Sequence, residues 1–285
     1  LMKELLRAAF SQFEKNKIPV VDAELLLAHL LGVSRKQIHS QAIELNEIEQ
    51  EKIATEFNEL IKQRLMGRPV QYITGNAAFR YLELEVGEGV LIPRPETELI
   101  VDRVIGYLNS QTDKGQAKSI IDLGAGSGAI SIAIASEASI KGLKVSMVAV
   151  EKSSDAAQWL NKNIAKYDLP IRVVVEDAQN ALPEVKADVV VANPPYIPND
   201  EKLPIEVANF EPEIALRGGP VDGMLIPKQF IEAATRLLKS GGYFITEHHE
   251  KQAEAIRALL IKEFLPAQTH ADLTGRDRFT SALKR

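Results

Sequence analysis

The 285-residue chain contains no cysteine. This absence excludes disulfide bonds, catalytic thiolates and thiolate zinc sites, and it is consistent with a reducing compartment such as the cytoplasm. Long apolar runs are also missing, since a run such as Val189–Ala192 is far shorter than the roughly 18 residues that a membrane span requires. We therefore expect a cytoplasmic protein that does not enter a membrane.

An excess of positive charge is missing too, because the formal net charge is −5. A protein of this charge does not bind nucleic acid by overall attraction alone, so we expect no direct binding to duplex DNA. Apolar residues make up 45% and charged residues 26%, which is ordinary for a folded globular protein. The length exceeds that of a typical single domain and predicts one large domain with a smaller partner.

Residues 1–75 have the pattern of a small helical domain, with apolar residues at helical spacing and with residues that typically begin and end helices. Asp22 is predicted to cap a helix that ends at Gly32. Asn46 and Glu49 have the spacing of a capping box, and an apolar stripe follows them. The stripe consists of Ile53, Phe57, Leu60 and Ile61.

Residues 76–92 are predicted to form a β-hairpin between the domains, because apolar and acidic residues alternate there with the period of a half-buried strand. Over residues 93–285, short β-branched runs alternate with helical stretches. Such alternation is typical of βαβ units and predicts an α/β domain with a doubly wound, Rossmann-like parallel sheet covered on both faces. Ligands of these sheets bind at the carboxyl ends of the strands, so the residues after each run are candidates for a site.

A glycine-rich segment follows the first of these strands and leads into a helix. It comprises Asp122, Leu123, Gly124, Ala125, Gly126, Ser127 and Gly128. Glycines allow a sharp turn and let a ligand approach the bare backbone, so the segment is predicted to bind a cofactor. Its spacing also satisfies a loose dinucleotide pattern, which leaves a nicotinamide or flavin cofactor as an alternative. A tight strand-to-helix turn without a ligand is a third interpretation.

The charges around this segment favour S-adenosylmethionine over a dinucleotide. A dinucleotide carries an anionic pyrophosphate, whereas S-adenosylmethionine carries a sulfonium and an ammonium, and Asp122 suits the cationic ligand better. Glu151 ends the second strand, where a carboxylate can accept both ribose hydroxyls of either cofactor. Asp177 ends the third strand, and we expect it to accept a hydrogen bond from the adenine amino group, with the amide of Ala178 near the ring. A helix or turn cap is the alternative role for Asp177.

The segment that indicates a function most specifically follows the fourth strand and consists of Asn193, Pro194, Pro195 and Tyr196. Two prolines fix the backbone and remove N–H donors, so the segment presents carbonyl oxygens. The Asn193 side-chain oxygen and the Pro194 carbonyl can each accept one hydrogen of a planar NH₂ group and direct its nitrogen toward the methyl group. Tyr196 is predicted to stack on the planar group. These residues predict methyl transfer to an amide or amine nitrogen; a proline-rich turn capped by Asn193 is the structural alternative.

Together, these features resemble the release-factor glutamine methyltransferase family known as HemK or PrmC, and the resemblance extends over the whole chain. Residues 91–98, with the sequence Leu-Ile-Pro-Arg-Pro-Glu-Thr-Glu, are similar to the family's entry segment to the catalytic domain. Segments within residues 211–223 and 272–278 are similar to its later glycine-rich and C-terminal segments. The family usually has glutamate, an apolar residue and glycine after the fifth strand, where this chain has Glu247, His248 and His249.

The resemblance implies a class I methyltransferase sheet with S-adenosylmethionine as cofactor. It also implies methylation of the glutamine side-chain amide (N5) in the Gly-Gly-Gln loop of peptide chain release factors, the proteins of translation termination, and a helical domain that helps to hold this protein substrate. The residues that would line the cofactor by matching position are Gly124–Gly128, Glu151, Ala178 and Asn193, and those that would hold the glutamine are Asn193–Tyr196. We expect the protein to be a monomer.

Other functions stay open at this level. An adenine-N6 DNA or RNA methyltransferase would use the same four residues on the amine of a flipped base. Such enzymes generally need a basic recognition region, whereas residues 1–75 mix acidic and basic residues. A protein-binding scaffold without catalysis and a nicotinamide oxidoreductase are further alternatives. A metal site at His248 and His249 is not expected, because adjacent residues on a strand point to opposite faces.

Overall fold

The computed structural model describes residues 2–40, 46–111 and 115–285. Residues 1 and 41–45, which belong to the predicted helical domain, lie outside the described residues. The chain divides into two compact units, Leu1–Asn76 with Leu203–Phe210 and Ala77–Lys202 with Glu211–Arg285. No helix within the described ranges is long and apolar enough to cross a bilayer.

The first unit is helical, as the apolar periodicity predicts. Its helices are α1 (Met2–Lys15), α2 (Val21–Leu31), α3 (Arg35–Ser40), α4 (Glu47–Leu65) and α5 (Val70–Thr74). A later helix, α9 (Ile205–Phe210), belongs to the same unit, although the sequence pattern places it in the second domain. Phe13, Leu26 and Phe57 are fully buried at the centre of this core. The role of this unit in holding a protein substrate stays a prediction.

The predicted helix ends of α4 and α2 are confirmed. The Asn46 side chain accepts from the Glu49 N–H at 2.9 Å, and the Glu49 carboxylate accepts from the Asn46 N–H at 2.9 Å, which completes the capping box of α4. Phe57 and Ile61 on its apolar stripe are buried. Gly32 ends α2 with a φ of 63°, in the left-handed region that glycine adopts without strain.

The predicted capping role of Asp22 is wrong. Helix α2 begins at Val21, no side chain caps it, and Asp22 is buried within its first turn. Its carboxylate accepts a hydrogen bond from Arg64 Nε at 2.8 Å, and Arg64 Nη2 donates to Glu206 at 2.8 Å. A buried carboxylate requires a partner of opposite charge, and that requirement outweighs the benefit of a cap. Burial still raises the pKa of Asp22, with Arg64 acting in the opposite direction.

The second unit contains the hairpin and an α/β domain. In chain order its elements are β1 (Asn76–Phe79), β2 (Leu82–Glu85), α6 (Glu98–Ser110), β3 (Lys118–Leu123), α7 (Ala129–Ile140), β4 (Val145–Glu151), α8 (Ser154–Tyr167), β5 (Ile171–Val175), β6 (Ala187–Ala192), β7 (Ile197–Pro198), β8 (Arg217–Gly219), α10 (Leu225–Leu237), β9 (Leu238–Glu247), α11 (Ala253–Leu260), β10 (Gln268–Ala271) and β11 (Asp277–Leu283). β1 and β2 pair as the predicted hairpin, in which Leu82 and Leu84 are buried and Glu83 is exposed.

The central sheet confirms the doubly wound α/β fold. Within the described residues it has seven strands in the order β10-β11-β9-β6-β3-β4-β5. Helices α6, α7 and α8 cover one face, and α10 and α11 cover the other. One strand, β11, departs from the predicted parallel arrangement and runs antiparallel to both β9 and β10. The turn between β10 and β11 is too short for a crossover, so the chain can only reverse its direction there.

The strand register aligns the ends of the central strands. Leu123 of β3 pairs with Val150 of β4 and with Ala192 of β6, and Ala192 pairs with Thr246 of β9. The next residues of these strands therefore form one row along the carboxyl edge of the sheet: Gly124, Glu151, Asn193 and Glu247. The chain order reverses between β3 and β6, and such a switch point opens a crevice for a ligand.

Candidate active site

A cleft lies at the carboxyl edge of the sheet, where ligands of such sheets bind. The predicted cofactor residues that line it are Gly124, Gly126, Glu151, Asp177, Ala178 and Asn193, and Pro195 joins them. They come from the ends of four different strands. The structure thus brings together residues that are up to about 70 positions apart in the sequence, because their strands end at the same edge.

The glycine-rich segment contributes bare backbone to the cleft. Gly124 has a φ of 74° and Gly126 a φ of 55°, so both occupy the left-handed region. A Cβ on Gly124 would lie 3.1 Å from the Phe230 ring, which is tighter than a normal contact. A side chain at Gly124 would therefore have to displace the Phe230 ring, and the sequence-based interpretation of a sharp turn with close backbone approach agrees with this geometry.

Glu151 is held in place by two backbone donors. One carboxylate oxygen accepts from the Gly126 N–H at 2.8 Å, and the other accepts from the Ser153 N–H at 2.7 Å. The side chain is buried at the wall of the cleft. Each carboxylate oxygen has a second lone-pair direction, so the group can accept further hydrogen bonds from a ligand hydroxyl.

Asp177 and Ala178 lie on the same wall. Asp177 accepts from the Gln179 N–H at 3.0 Å, which is the turn-type contact anticipated as its alternative role, and it pairs with Lys152 Nζ at 2.7 Å. The hydrogen bond from Lys152 is the largest cause that lowers the pKa of Asp177. The carboxylate is therefore ionised at neutral pH and still reaches the cleft.

Four predicted cofactor residues lie behind the wall rather than on it: Asp122, Ala125, Ser127 and Gly128. A Cβ on Gly128 would lie 2.7 Å from Leu160, so this glycine permits the start of α7 to pack against α8. Asp122 is completely buried and bonds to the Ser131 hydroxyl, while its Oδ1 atom has no hydrogen-bond partner among the described residues. Burial raises the pKa of Asp122 to about 7.

Asn193 stands where the cleft meets the loop after β6. Its Nδ2 atom donates to the Thr97 hydroxyl at 3.2 Å. No donor among the described residues bonds to Asn193 Oδ1 or to the Pro194 carbonyl oxygen. Neither predicted acceptor therefore has a donor within the described residues; Asn193 is partly exposed, and Pro194 is buried.

The backbone of this loop is fixed by close contacts. The Gln252 amide donates to the Tyr196 carbonyl at 2.9 Å and to the Asp222 carbonyl at 2.7 Å. Gly218 and Gly223 pack against the Tyr196 backbone so closely that an added Cβ would lie 2.7 Å from Tyr196 Cα and 2.2 Å from Tyr196 O respectively. The loop is thus held rigidly between two neighbouring segments.

The Tyr196 hydroxyl donates to Glu247 Oε1 at 3.1 Å, and the Thr97 hydroxyl donates to Glu247 Oε2 at 2.6 Å. Burial raises the pKa of the Tyr196 hydroxyl, so it stays protonated. The residue as a whole is partly exposed. Its predicted stacking on a planar substrate group stays a prediction.

The two histidines after β9 have structural contacts. The His248 ring is buried, with Nδ1 at 2.9 Å from the His249 carbonyl and Nε2 at 2.9 Å from the Thr280 hydroxyl. His249 Nδ1 accepts from the Lys251 N–H at 3.2 Å. Burial lowers the pKa of His248, so the ring is neutral at pH 7. Both side chains therefore bond within the protein.

Sequence reasoning missed several residues of the site. Additional residues that line the cleft include Gly89, Leu91, Pro212, Ile214, Ile226 and Phe230, and Thr97 and Glu247 support Asn193 and Tyr196. Leu91, Thr97 and Pro212 belong to segments that resemble the family, so a signal existed for them. Ile226 and Phe230 lie on α10, and an apolar helix face looks the same whether it meets a core or a ligand.

Glu211 joins two of these segments. Its buried carboxylate accepts from the Ile92 N–H at 3.2 Å and from Arg94 Nη2 at 2.6 Å. This contact holds the stretch around Leu91 beside Pro212, and both residues line the cleft. One wall of the cleft is therefore built from two segments that are more than 100 residues apart in the sequence.

Comparison with known proteins relates both parts of the chain to a single kind of protein. Residues 4–75 match the family described as PrmC N-terminal domain, and residues 100–209 match the methyltransferase small domain. A release factor glutamine methyltransferase of Bifidobacterium longum is 38% identical over an alignment of 299 positions. The alignment covers 99% of this chain and 99% of the relative. A protein of the same name from Chlorobaculum tepidum is 36% identical and covers 98% of this chain and 96% of its own.

Among solved structures, a 16S rRNA N2 G1207 methyltransferase of T. thermophilus, determined with AdoMet and guanosine, matches with a TM-score of 0.52. The two are 21% identical, and the match covers 74% of this chain and 50% of the other, so this chain spans half the length of that protein. At this identity the likeness supports the fold.

Proposed function

Because the chain belongs to the release factor glutamine methyltransferase family, we propose that it transfers a methyl group from S-adenosylmethionine to the side-chain amide nitrogen (N5) of a glutamine in a peptide chain release factor. The observation that carries this proposal is that Asn193 Oδ1 and the adjacent Pro194 carbonyl accept from no donor among the described residues, and that Asn193 lines the cleft. The Gly-Gly-Gln loop is the proposed location of the glutamine.

The cleft suits S-adenosylmethionine by its charge. Its wall carries the carboxylates of Glu151, Glu176 and Asp177 and a single described basic side chain, Lys152, which already pairs with Asp177. A net negative wall attracts a sulfonium and an ammonium and repels a pyrophosphate. Charge thus favours S-adenosylmethionine through residues other than Asp122, and a nicotinamide or flavin cofactor is not proposed.

We propose that Glu151 accepts the ribose hydroxyls, that Asp177 and Ala178 meet the adenine edge, and that Gly124 and Gly126 lie against the remainder of the cofactor. The apolar side chains of Ile226 and Phe230 offer surfaces for its uncharged parts. The residues behind the wall, Asp122, Ala125, Ser127 and Gly128, would then act on the cofactor by shaping the loop.

We expect Glu151→Gln to weaken S-adenosylmethionine binding by about tenfold or more, because it removes the charge from an acceptor that meets two hydroxyls. Isothermal titration calorimetry measures the dissociation constant. Glu176→Gln is the matched control, since it removes the same charge from an exposed position on the same wall. Its effect should stay below about threefold. Equal effects of the two variants would mean that Glu151 contributes only its charge.

The amide nitrogen of glutamine is a poor nucleophile because its lone pair is delocalised into the carbonyl. Asn193 Oδ1 and the Pro194 carbonyl each accept one amide hydrogen, which fixes the NH₂ plane and turns the nitrogen toward the cleft. Bound S-adenosylmethionine supplies an electrophilic methyl group on a sulfonium. The two acceptors also stabilise the positive charge that develops on the nitrogen.

No general base is required before bond formation. Transfer would break the sulfonium S–CH₃ bond and leave a neutral thioether, and the alkylated nitrogen, which is acidic, then loses its proton to solvent. Tyr196 is proposed to stack on the amide plane, and Pro195 lines the cleft next to it. The chain thus acts by positioning and electrostatics.

The helical unit is proposed to help to hold the release factor, and the protein is proposed to act as a monomer in the cytoplasm. The matched PrmC N-terminal domain over residues 4–75 supports the first of these statements. An adenine-N6 nucleic-acid methyltransferase is not favoured, because the full-length relatives share the name of a protein methyltransferase. A non-catalytic scaffold is disfavoured by the intact acceptor pair of the loop after β6.

Incubation of the protein with S-adenosylmethionine and a full-length bacterial release factor, followed by peptide mass mapping, tests the function. The expected result is one added methyl group on the glutamine of the Gly-Gly-Gln loop. A release factor whose loop glutamine is replaced by alanine is the control and should stay unmodified. Absence of the mark on the unaltered release factor, or methylation of duplex DNA instead, would overturn the proposal.

A further inference from the structure

A buried carboxylate, Glu247, lies next to the acceptor pair and has no role in the mechanism above. It is only 1% exposed at the end of β9. The register places it beside Asn193 in the row of strand ends. It does not line the cleft, so it has no direct access to the cofactor. A buried charge next to a reacting group requires a physical explanation.

Hydrogen bonds connect Glu247 to both ends of the proposed glutamine site. Its Oε2 atom accepts from the Thr97 hydroxyl at 2.6 Å, and the same hydroxyl oxygen accepts from Asn193 Nδ2 at 3.2 Å. Its Oε1 atom accepts from the Tyr196 hydroxyl at 3.1 Å. One carboxylate therefore supports Asn193, through Thr97, and Tyr196 directly.

The direction of the hydrogen bond between Thr97 and Glu247 fixes the direction of the one between Asn193 and Thr97. A carboxylate has only acceptors, so Thr97 must give its single hydroxyl hydrogen to Glu247. The Thr97 oxygen is then left as an acceptor and can contact Asn193 only through the NH₂ end of the amide. The Oδ1 end of Asn193 must consequently face away from Thr97, toward the position of the substrate.

Reversal of the hydrogen bonds between Glu247, Thr97 and Asn193 would disable the site. If Thr97 accepted a hydrogen from a neutral Glu247, its own hydrogen would point at Asn193 and attract the amide oxygen. Asn193 would then present its NH₂ group to the substrate NH₂, and two donors would face each other. Asn193 could no longer accept a hydrogen from the glutamine.

We propose that Glu247 and Thr97 are positioning residues that set the orientation of the Asn193 amide, so that its oxygen faces the substrate nitrogen. The inference rests on the proposed function, because it assigns the supporting residues of the same glutamine site. Glu247 and Thr97 touch neither substrate nor cofactor. Tyr196 is held by the second oxygen of the same carboxylate.

The charge state of Glu247 makes the orientation of the Asn193 amide depend on pH. Burial is the largest cause and raises the pKa of Glu247 to about 7. The hydrogen bonds from Thr97 and Tyr196 and the charge of Arg278 on β11 lower this pKa, and the charge of Glu96 raises it. Arg278 is itself bonded to Asp272 at 3.3 Å. Above about pH 7 the carboxylate is ionised and orients Thr97. Below that pH it is protonated, and one of its two contacts must reverse or break.

The test compares the wild type with Thr97→Val, Thr97→Ser and Glu247→Gln, using a full-length bacterial release factor. The measured quantity is the single-turnover rate of methyl transfer between pH 5.5 and pH 8.5, on the order of 1.5 units on each side of the inflection. Thr97→Val removes the hydroxyl at nearly constant volume, and Thr97→Ser retains it. Calorimetry with S-adenosylmethionine reports whether each variant is folded.

The wild-type rate should fall as the pH drops through about 7. Thr97→Val should lower the plateau rate roughly 10- to 30-fold, in the range of a lost orienting hydrogen bond, with cofactor affinity changed less than about threefold. It should also lose the inflection near pH 7, because Asn193 is no longer connected to Glu247. Thr97→Ser should recover both the rate and the inflection, and Glu247→Gln should lack the inflection because glutamine does not titrate.

Failure of the inference differs from failure of the proposed function. If the wild type does not methylate the release factor at all, both fall. If it does, an inflection that persists in Thr97→Val and Glu247→Gln overturns the inference alone, since the titrating group would then be another, such as Asp122. A Thr97→Val rate equal to that of the wild type overturns it too. Should Glu247→Gln fail to bind cofactor, the Thr97→Val and Thr97→Ser pair decides.

Discussion

Asn193→Ala is expected to lower the rate of methyl transfer roughly 10²- to 10³-fold, the range found when one preorganised hydrogen-bonding group at a reacting centre is removed. In the proposed mechanism the side chain supplies one of the two acceptors for the amide hydrogens, and its only hydrogen bond to the described protein is the one to Thr97. Its removal leaves the Pro194 carbonyl to hold the NH₂ group alone. The nitrogen then rotates away from the productive direction.

Cofactor binding separates the two possible roles of Asn193. Asn193 lines the cleft as well as the proposed substrate position. The Asn193→Ala variant still has the carboxylate of Glu151 and the backbone of Gly124 and Gly126 to bind the cofactor. We expect the dissociation constant of S-adenosylmethionine, measured by calorimetry, to change less than about threefold. A loss of affinity as large as the loss of rate would identify Asn193 as a cofactor residue first.

Gly223→Ala is expected to lower the methyl-transfer rate by more than about 10²-fold, because displacement of a positioned group by 1 Å costs that much. A Cβ on Gly223 would lie 2.2 Å from the Tyr196 carbonyl oxygen and 2.9 Å from Pro198 N. Both are backbone atoms, so the loop that carries Asn193 and Pro194 must move. Overpacking and the positive φ should together lower the free energy of unfolding by about 2–4 kcal/mol.

Gly142→Ala is the matched control for this prediction. Gly142 has the same φ of 68° as Gly223, but a Cβ there would meet nothing within 4 Å. It precedes β4, at the sheet edge opposite the cleft. The control should lose about 1–2 kcal/mol of stability from backbone strain alone and keep its rate. Equal rates for the two variants, with chemical denaturation showing both to be folded, would contradict the claim that Gly223 holds the loop.

The proposed cofactor residues illustrate the limit of inference from neighbours in sequence. Asp122 precedes the glycine-rich loop and was expected to attract a cationic ligand, yet its side chain points into the protein and bonds to Ser131. Successive residues of a strand point to opposite faces, so a position beside a loop does not determine on which side of the sheet a carboxylate lies. Glu151, at the end of the neighbouring strand β4, has the contact with the loop backbone that Asp122 lacks.

The amino-acid sequence by itself determined the α/β class, the helical first unit with its capping box, and the segments at which ligands would bind. These follow from the period of apolar residues and from glycine and proline geometry, which act over a few neighbouring positions. It also led to the proposed chemistry of the loop after β6, because Asn193 and Pro194 are adjacent acceptors.

Only the tertiary structure decided which side chains meet across the sheet. The partners of Asp22, Asn193 and Glu247 lie 42, 96 and 150 positions away. Such contacts depend on how neighbouring strands align and on the need of each buried charge for a partner. The orientation of the Asn193 amide is of this kind, because it follows from a carboxylate at the end of another strand.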